Sequence, residues 1–257
     1  MKFINNFRNR LQIRFFGFKK DTASLTVVGV GPGDPKLLTI AAVNAIKEAK
    51  VIVFPLSNEE NKSFSAEIVD EYIKFKKKIP IIFPMSRKEF NPNDIWNKAA
   101  EMIVKFIKNK ESVVLLCLGD TSLFASSTNI LKLINNNYPE ITTKIIPGIS
   151  SLSAAAALIN FDLASKGETL IIKECPDTQS EFLDLINRNK DNKSVLVLMK
   201  VGKRWPLVKD ILKKEGILNN SWLALNVGMI DQVVKNASEY DNDMVPYFSL
   251  VLLRFKK

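Results

Sequence analysis

From residue 25 onward, short apolar runs alternate with stretches whose apolar residues recur at helical spacing. Leu25–Val30 reads as a buried strand, and after a Gly/Pro turn Ile40, Val43, Ile46 and Ala49 share one helix face. Val51–Phe54 and Ile79–Phe83 are the next apolar, β-rich runs. The strongest helical pattern follows: Trp96, Ala99, Ala100, Ile103, Val104 and Ile107 stand at i, i+3, i+4, i+7, i+8 and i+11. Val113–Leu118 is wholly apolar, as a strand buried on both faces should be, and Thr142–Ile146 forms a fifth run beyond another helix. Strand and helix in regular alternation predict an α/β domain with a mostly parallel five-stranded sheet.

Pro147-Gly148 punctuates the chain and a second set begins. Strands are predicted at Thr169–Lys173, Ser194–Met199, Trp222–Val227 and Tyr247–Arg254, with a weaker one at Gln232–Lys235. Helices are predicted over Ser150–Ile159, Gln179–Asn189 and Trp205–Lys214. No long crossover helix precedes the last strand, so this second sheet should be mixed. The expected architecture is two α/β domains, residues 25–147 and 148–257, with a ligand cleft between them.

Composition narrows the chemistry. Of 257 residues, 46% are hydrophobic and 25% charged, a globular balance. No apolar run approaches the roughly 18 residues of a membrane helix, so no membrane partner is expected. The two cysteines lack metal-ligand spacing, which suits a reducing, cytoplasmic setting and no metal site. Histidine is absent, excluding imidazole bases and Ser/His or Cys/His dyads. Six of the ten net positive charges sit in residues 1–20; the remainder is only mildly basic, so no nucleic-acid partner is expected. Residues 1–24 mix those bases with phenylalanines, and Arg14 and Lys19 interrupt every candidate signal segment. This lead is expected to lie outside the fold as a mobile tail.

Four motifs fall at strand exits. Val28-Gly29-Val30-Gly31-Pro32-Gly33-Asp34-Pro35 follows the first strand, where glycines let the backbone turn sharply and approach a ligand. It departs from a dinucleotide fingerprint, lacking the third glycine and placing Asp34 where a pyrophosphate would sit. Asp34 followed by Pro35 also reads simply as a helix N-cap. Leu118-Gly119-Asp120-Thr121 ends the most apolar strand; Asp120 can bond a polar cofactor or cap the helix beginning near Phe124. Ile146-Pro147-Gly148-Ile149-Ser150-Ser151 precedes Ala154–Ala157, and both serine hydroxyls can cap or contact a ligand. Val197-Leu198-Met199-Lys200-Val201-Gly202 leaves a central strand, with Met199 either core or cofactor wall.

In this order the motifs resemble the tetrapyrrole (corrin/porphyrin) methyltransferase family from Leu25 to Arg254, most specifically in VGVGPGDPKLLTIAAVNAIKEAKVIVFP. IIFPM (81–85), IPGISSLSAAAA (146–157), VLMKVGK (197–203) and YFSLVLLR (247–254) resemble its precorrin-2 C20-methyltransferase branch. The resemblance implies S-adenosylmethionine as methyl donor, contacted by Pro32, Gly119, Asp120, Leu123, Ser150, Ser151 and Met199. It implies a glycine-rich loop facing a tetrapyrrole, methylation at C20 of precorrin-2 or its cobalt complex, and a homodimer. A proton must leave C20; without histidine the acceptor is a carboxylate, a water or the substrate, and Asp34 is the candidate catalytic residue. Three positions depart from the family pattern. Thr121 replaces a proline, Phe124 an aromatic hydroxyl, and Asn109-Lys110 a glycine-containing turn. Rival readings are another tetrapyrrole acceptor (uroporphyrinogen or a later precorrin), a relative that binds the donor without catalysis, and a nicotinamide oxidoreductase.

Overall fold

A computed structural model describes residues 23–56, 62–83 and 91–255. Most of the basic lead, and Pro84 and Met85 of the IIFPM stretch, lie outside the described residues. The chain divides into two units.

The first unit runs β1 (Leu25–Gly29), α1 (Ile40–Glu48), β2 (Val51–Leu56), α2 (Phe64–Ile68), α3 (Asp70–Ile73), β3 (Lys77–Ile82), α4 (Pro92–Lys108), β4 (Val113–Cys117), α5 (Ser127–Asn137) and β5 (Thr143–Ile146). Its five strands are all parallel, in the order β3-β2-β4-β1-β5. Central β1 and β4 are buried at every position, which is why they read as unbroken apolar runs. The periodic face of α4 (Ala99, Ala100, Ile103, Val104, Ile107) packs with Ile130 and Ile134 of α5 against Leu25, Val27, Val53 and Leu115. Helices α2 and α3 were not anticipated; they are short and separated at Val69, which leaves helical geometry at φ −111, ψ 12.

The second unit contains α6 (Ser151–Leu158), β6 (Thr169–Glu174), α7 (Gln179–Asn189), β7 (Ser194–Met199), α8 (Trp205–Lys214), β8 (Ser221–Leu225), β9 (Val233–Asn236) and β10 (Ser249–Arg254). Strand order is β6-β7-β10-β8-β9; β6 and β7 are parallel and the other pairs antiparallel, so the sheet is mixed. Successive residues serve opposite faces. Val195, Val197, Leu250 and Leu252 pack under α6, whereas Leu196, Leu198, Val251 and Leu253 pack under α7 and α8. The strand expected to reach Val227 stops at Leu225, because Asn226 turns to φ 47 and an extended strand cannot continue through it.

Besides its helices and strands, the second unit takes in residues 30–38 and 118–123, the two loops that leave β1 and β4. Among the described residues no helix is long and apolar enough to cross a membrane.

Three helices end in the same left-handed cap, with different residues at its critical position. After α4, Lys110 N–H donates to Ile107 O at 2.9 Å and Glu111 N–H to Phe106 O at 3.0 Å, with Lys110 at φ 60. After α8 the equivalent position is Gly216 (φ 70), and after α6 it is Asn160 (φ 50). A left-handed L-residue costs roughly 1 kcal/mol or more, partly offset by glycine's freedom in the unfolded chain. Lys110→Gly should therefore stabilise the protein by about 0.5 kcal/mol, raising Tm by about 1–2 °C in a thermal melt. An unchanged or lower Tm would contradict this account of the cap.

Candidate active site

The candidate residues converge inside the second unit. Gly31 (φ 78) and Gly119 (φ 72) form a two-bond bridge, Gly31 N–H to Gly119 O at 3.2 Å and Gly119 N–H to Gly31 O at 2.8 Å. Both backbones turn left-handed there, a conformation natural to glycine. The glycine-rich loop and the Gly119-Asp120 loop are thus joined directly, with Pro32 buried between Gly31 and Gly33.

Asp120 ties this pair to the third motif. Its Oδ1 accepts the Ser122 N–H at 2.8 Å and the Ser122 hydroxyl, and its Oδ2 accepts the Gly148 N–H at 3.1 Å. Asp120 is therefore a cross-link between loops, not the cap of α5, whose N-cap position is Ser126. Burial pushes its carboxyl up, but the hydrogen bonds from Ser122, Gly148 and Thr121 outweigh burial and hold it below the usual carboxylate range. Such a group stabilises the folded state above its unfolded value of about 3.9 and loses that contribution as pH falls through the folded value. Asp120→Asn should accordingly lower stability at neutral pH and flatten the decline of Tm below about pH 4. Identical Tm-against-pH curves for the two proteins would sink the assignment.

Ser150 is the N-cap of α6, its hydroxyl accepting the Leu152 N–H at 3.4 Å, and Ser151 is the first residue of that helix. Both serines are half-buried. Met199 ends β7; its carbonyl accepts the Cys175 N–H at 2.8 Å. Its side chain is half-buried and packs with Leu123 and Ala154 against the cluster under α6. Cys175 itself is a poor nucleophile: burial pushes its thiol up to about 12.

Asp34 does act as a cap. Its carboxylate accepts the Lys36 N–H at 2.8 Å, and Pro35 opens a single 3-10 turn, Pro35–Leu37. The cap does not start α1, which has its own in Thr39, whose hydroxyl accepts the Ala42 N–H at 3.1 Å. Glycine is required at 33 for steric reasons. A Cβ there would lie 2.6 Å from both the carbonyl carbon and oxygen of Gly228. Gly228 was not among the candidates, and the only local sign of it was an Asn-Val-Gly turn signal after an apolar run.

The chain matches the family described as Tetrapyrrole (Corrin/Porphyrin) Methylases over residues 24–241. It is 28% identical over 236 residues to a probable cobalt-precorrin-2 C(20)-methyltransferase of Methanocaldococcus jannaschii, covering 90% of this chain and 96% of that protein. A cobalt-precorrin-2 C(20)-methyltransferase of Salmonella typhimurium is 27% identical, covering 89% of this chain and 95% of its own length. Among solved structures, a cobalt precorrin-4 methyltransferase shares the fold at a TM-score of 0.69 and 16% identity, covering 93% of this chain and 97% of its own. With the family's pattern running through all four motif loops, from the glycine-rich turn to Met199 and beyond, this chain belongs to the tetrapyrrole (corrin/porphyrin) methylases and is a methyltransferase.

Proposed function

We propose that the protein transfers a methyl group from S-adenosylmethionine to C20 of precorrin-2 or cobalt-precorrin-2, a step of cobalamin biosynthesis. The observation that carries this reading is the nearly end-to-end correspondence with relatives named for that reaction.

The residues present suit the donor. A Cβ on Gly119 would meet nothing within 4 Å, so open space lies against its backbone. The same unit offers half-buried apolar Leu123 and Met199, half-buried Ser150 and Ser151, and a carboxylate at Asp120 that stays ionised. That set matches a cationic ligand with an apolar flat end. When bound, the donor supplies an electrophilic methyl whose leaving group is a neutral thioether. Gly119, Asp120, Leu123, Ser150, Ser151, Met199 and Pro32 hold and orient it, and no strong acid is needed. Orientation of this kind can supply on the order of 7–11 kcal/mol. The glycine-rich loop faces the acceptor, and Asp34 takes the C20 proton.

The test is incubation with S-adenosylmethionine carrying a labelled methyl and either precorrin-2 or its cobalt complex. A single-methyl mass increase with the label on C20 is expected. Label on another carbon, or transfer only to uroporphyrinogen or a later precorrin, would overturn the C20 reading; donor binding without transfer to any acceptor would overturn catalysis.

A further inference from the structure

The turn that follows β8 belongs to none of the four motifs, yet the glycine-rich loop is built onto it. Asn226 (φ 47) and Gly228 (φ 82) both adopt left-handed backbone. Asn226 N–H donates to Phe248 O at 2.8 Å, and Met229 N–H donates back to Asn226 O at 2.9 Å. Asn226 Nδ2 donates to Asp231 Oδ2 at 2.6 Å, and Gly228 N–H donates to Gln232 Oε1 at 2.7 Å. Asparagine tolerates the left-handed region better than most residues, and its bonds to Asp231 and Phe248 keep it there.

The far side of this turn touches the loop with no side chain between them. A Cβ on Gly228 would stand 3.0 Å from the backbone nitrogens of both Gly33 and Asp34. The glycine-rich loop is therefore held at two points, Gly31 by its bridge to Gly119 and Gly33 by contact with Gly228. Asp34 follows the second point directly. Gln232 is exposed, so its bond to Gly228 can be removed without opening a core.

We propose that the Asn226–Gln232 turn is a positioning element for methyl transfer, with Gln232 acting through Gly228 to set the place of Gly33 and Asp34 beneath the acceptor. This rests on the reading that the glycine-rich loop faces the tetrapyrrole. Transfer demands placement finer than about 1 Å. Without the Gln232 acceptor, the Val227–Gly228 peptide can rotate, which moves Gly228 and with it the Gly228–Met229 peptide on which Gly33 rests.

Gln232→Leu removes the acceptor, whereas Gln232→Glu keeps one. Gln232→Leu should lower kcat by about 10- to 100-fold. Its KM for S-adenosylmethionine and its Tm should stay near wild type, because the donor rests mainly on Gly119, Asp120, Leu123, Ser150, Ser151 and Met199. Gln232→Glu should restore kcat. The backbone amide chemical shifts of Gly33 and Asp34 should move in Gln232→Leu and return to the wild-type positions in Gln232→Glu. An unchanged kcat in Gln232→Leu, a loss that glutamate does not repair, or a loss that tracks Tm would overturn the proposal. Wild-type protein inactive on every acceptor indicts the underlying reading instead. The amide chemical shifts then decide: unmoved Gly33 and Asp34 resonances in Gln232→Leu overturn the positioning role on their own.

Discussion

Replacing Gly33 with alanine is expected to cut methyl transfer by about 100-fold or more while leaving both sheets folded. The added methyl would sit 2.6 Å from the Gly228 carbonyl carbon and oxygen and 2.9 Å from Met229 N. These are backbone atoms in a turn held by Asn226, Asp231 and Gln232, and no flexible side chain is there to swing away. The loop must move outward, carrying Pro32 and Asp34 with it. Gly119→Ala offers a contrast. Its Cβ meets no protein atom; the penalties are the left-handed φ of 72, roughly 1–2 kcal/mol of strain, and intrusion into the space proposed for the donor, which should raise KM for S-adenosylmethionine more than it lowers kcat. Steady-state kinetics on the two variants, with circular dichroism as the folding control, should show the larger kcat loss at position 33. Wild-type turnover in Gly33→Ala would refute the tight approach of loop and turn.

The largest expected loss of stability is at Trp205. This side chain is 0% exposed and forms the first turn of α8 against Phe182, Leu198, Val208 and Leu253. Its Nε1 donates to the Asn242 carbonyl at 3.0 Å, and its ring meets Tyr240 edge-on with centroids 6.1 Å apart. Trp205→Ala opens a cavity and strands that carbonyl, a cost of about 3–5 kcal/mol. Against a typical total of about 5–15 kcal/mol, that is enough to melt a substantial fraction of the second unit on mild heating. Trp205→Phe keeps most of the volume and loses chiefly the hydrogen bond, worth about 1 kcal/mol. Urea titrations of the three proteins should rank them wild type, phenylalanine, alanine. A cost below about 1 kcal/mol for alanine would mean that α8 collapses into the space, contrary to close packing.

Much of this organisation is legible in one dimension because it is local. The face of α4 appears in the spacing from Trp96 to Ile107. The cap at Asp34 appears in the Asp-Pro pair, although its short 3-10 turn does not, since one turn carries too few residues to show a period. Helices α2 and α3 escaped for the same reason. The mixed character of the second sheet followed from the missing crossover before its last strand. That β10 lies in the middle of that sheet, between β7 and β8, did not follow, because pairing partners leave no mark on a strand's own pattern.

The substitutions at Thr121 and Lys110 gain meaning only in three dimensions. Thr121 stands where the resemblance implies a proline, in a loop that Asp120 already fastens through Ser122 and Gly148. Lys110 occupies a left-handed cap that Gly216 fills elsewhere.

By itself, then, the sequence determined most of the strands and the longer helices, which family they compose, and which loops carry polar and glycine residues, since each depends on neighbours a few positions apart. Only the tertiary structure decided that Gly31 meets Gly119, that Asp120 bonds Gly148, and that Gly33 rests on Gly228. Those contacts join residues distant along the chain, and the backbone approach that makes them is a property of packing rather than of any local pattern.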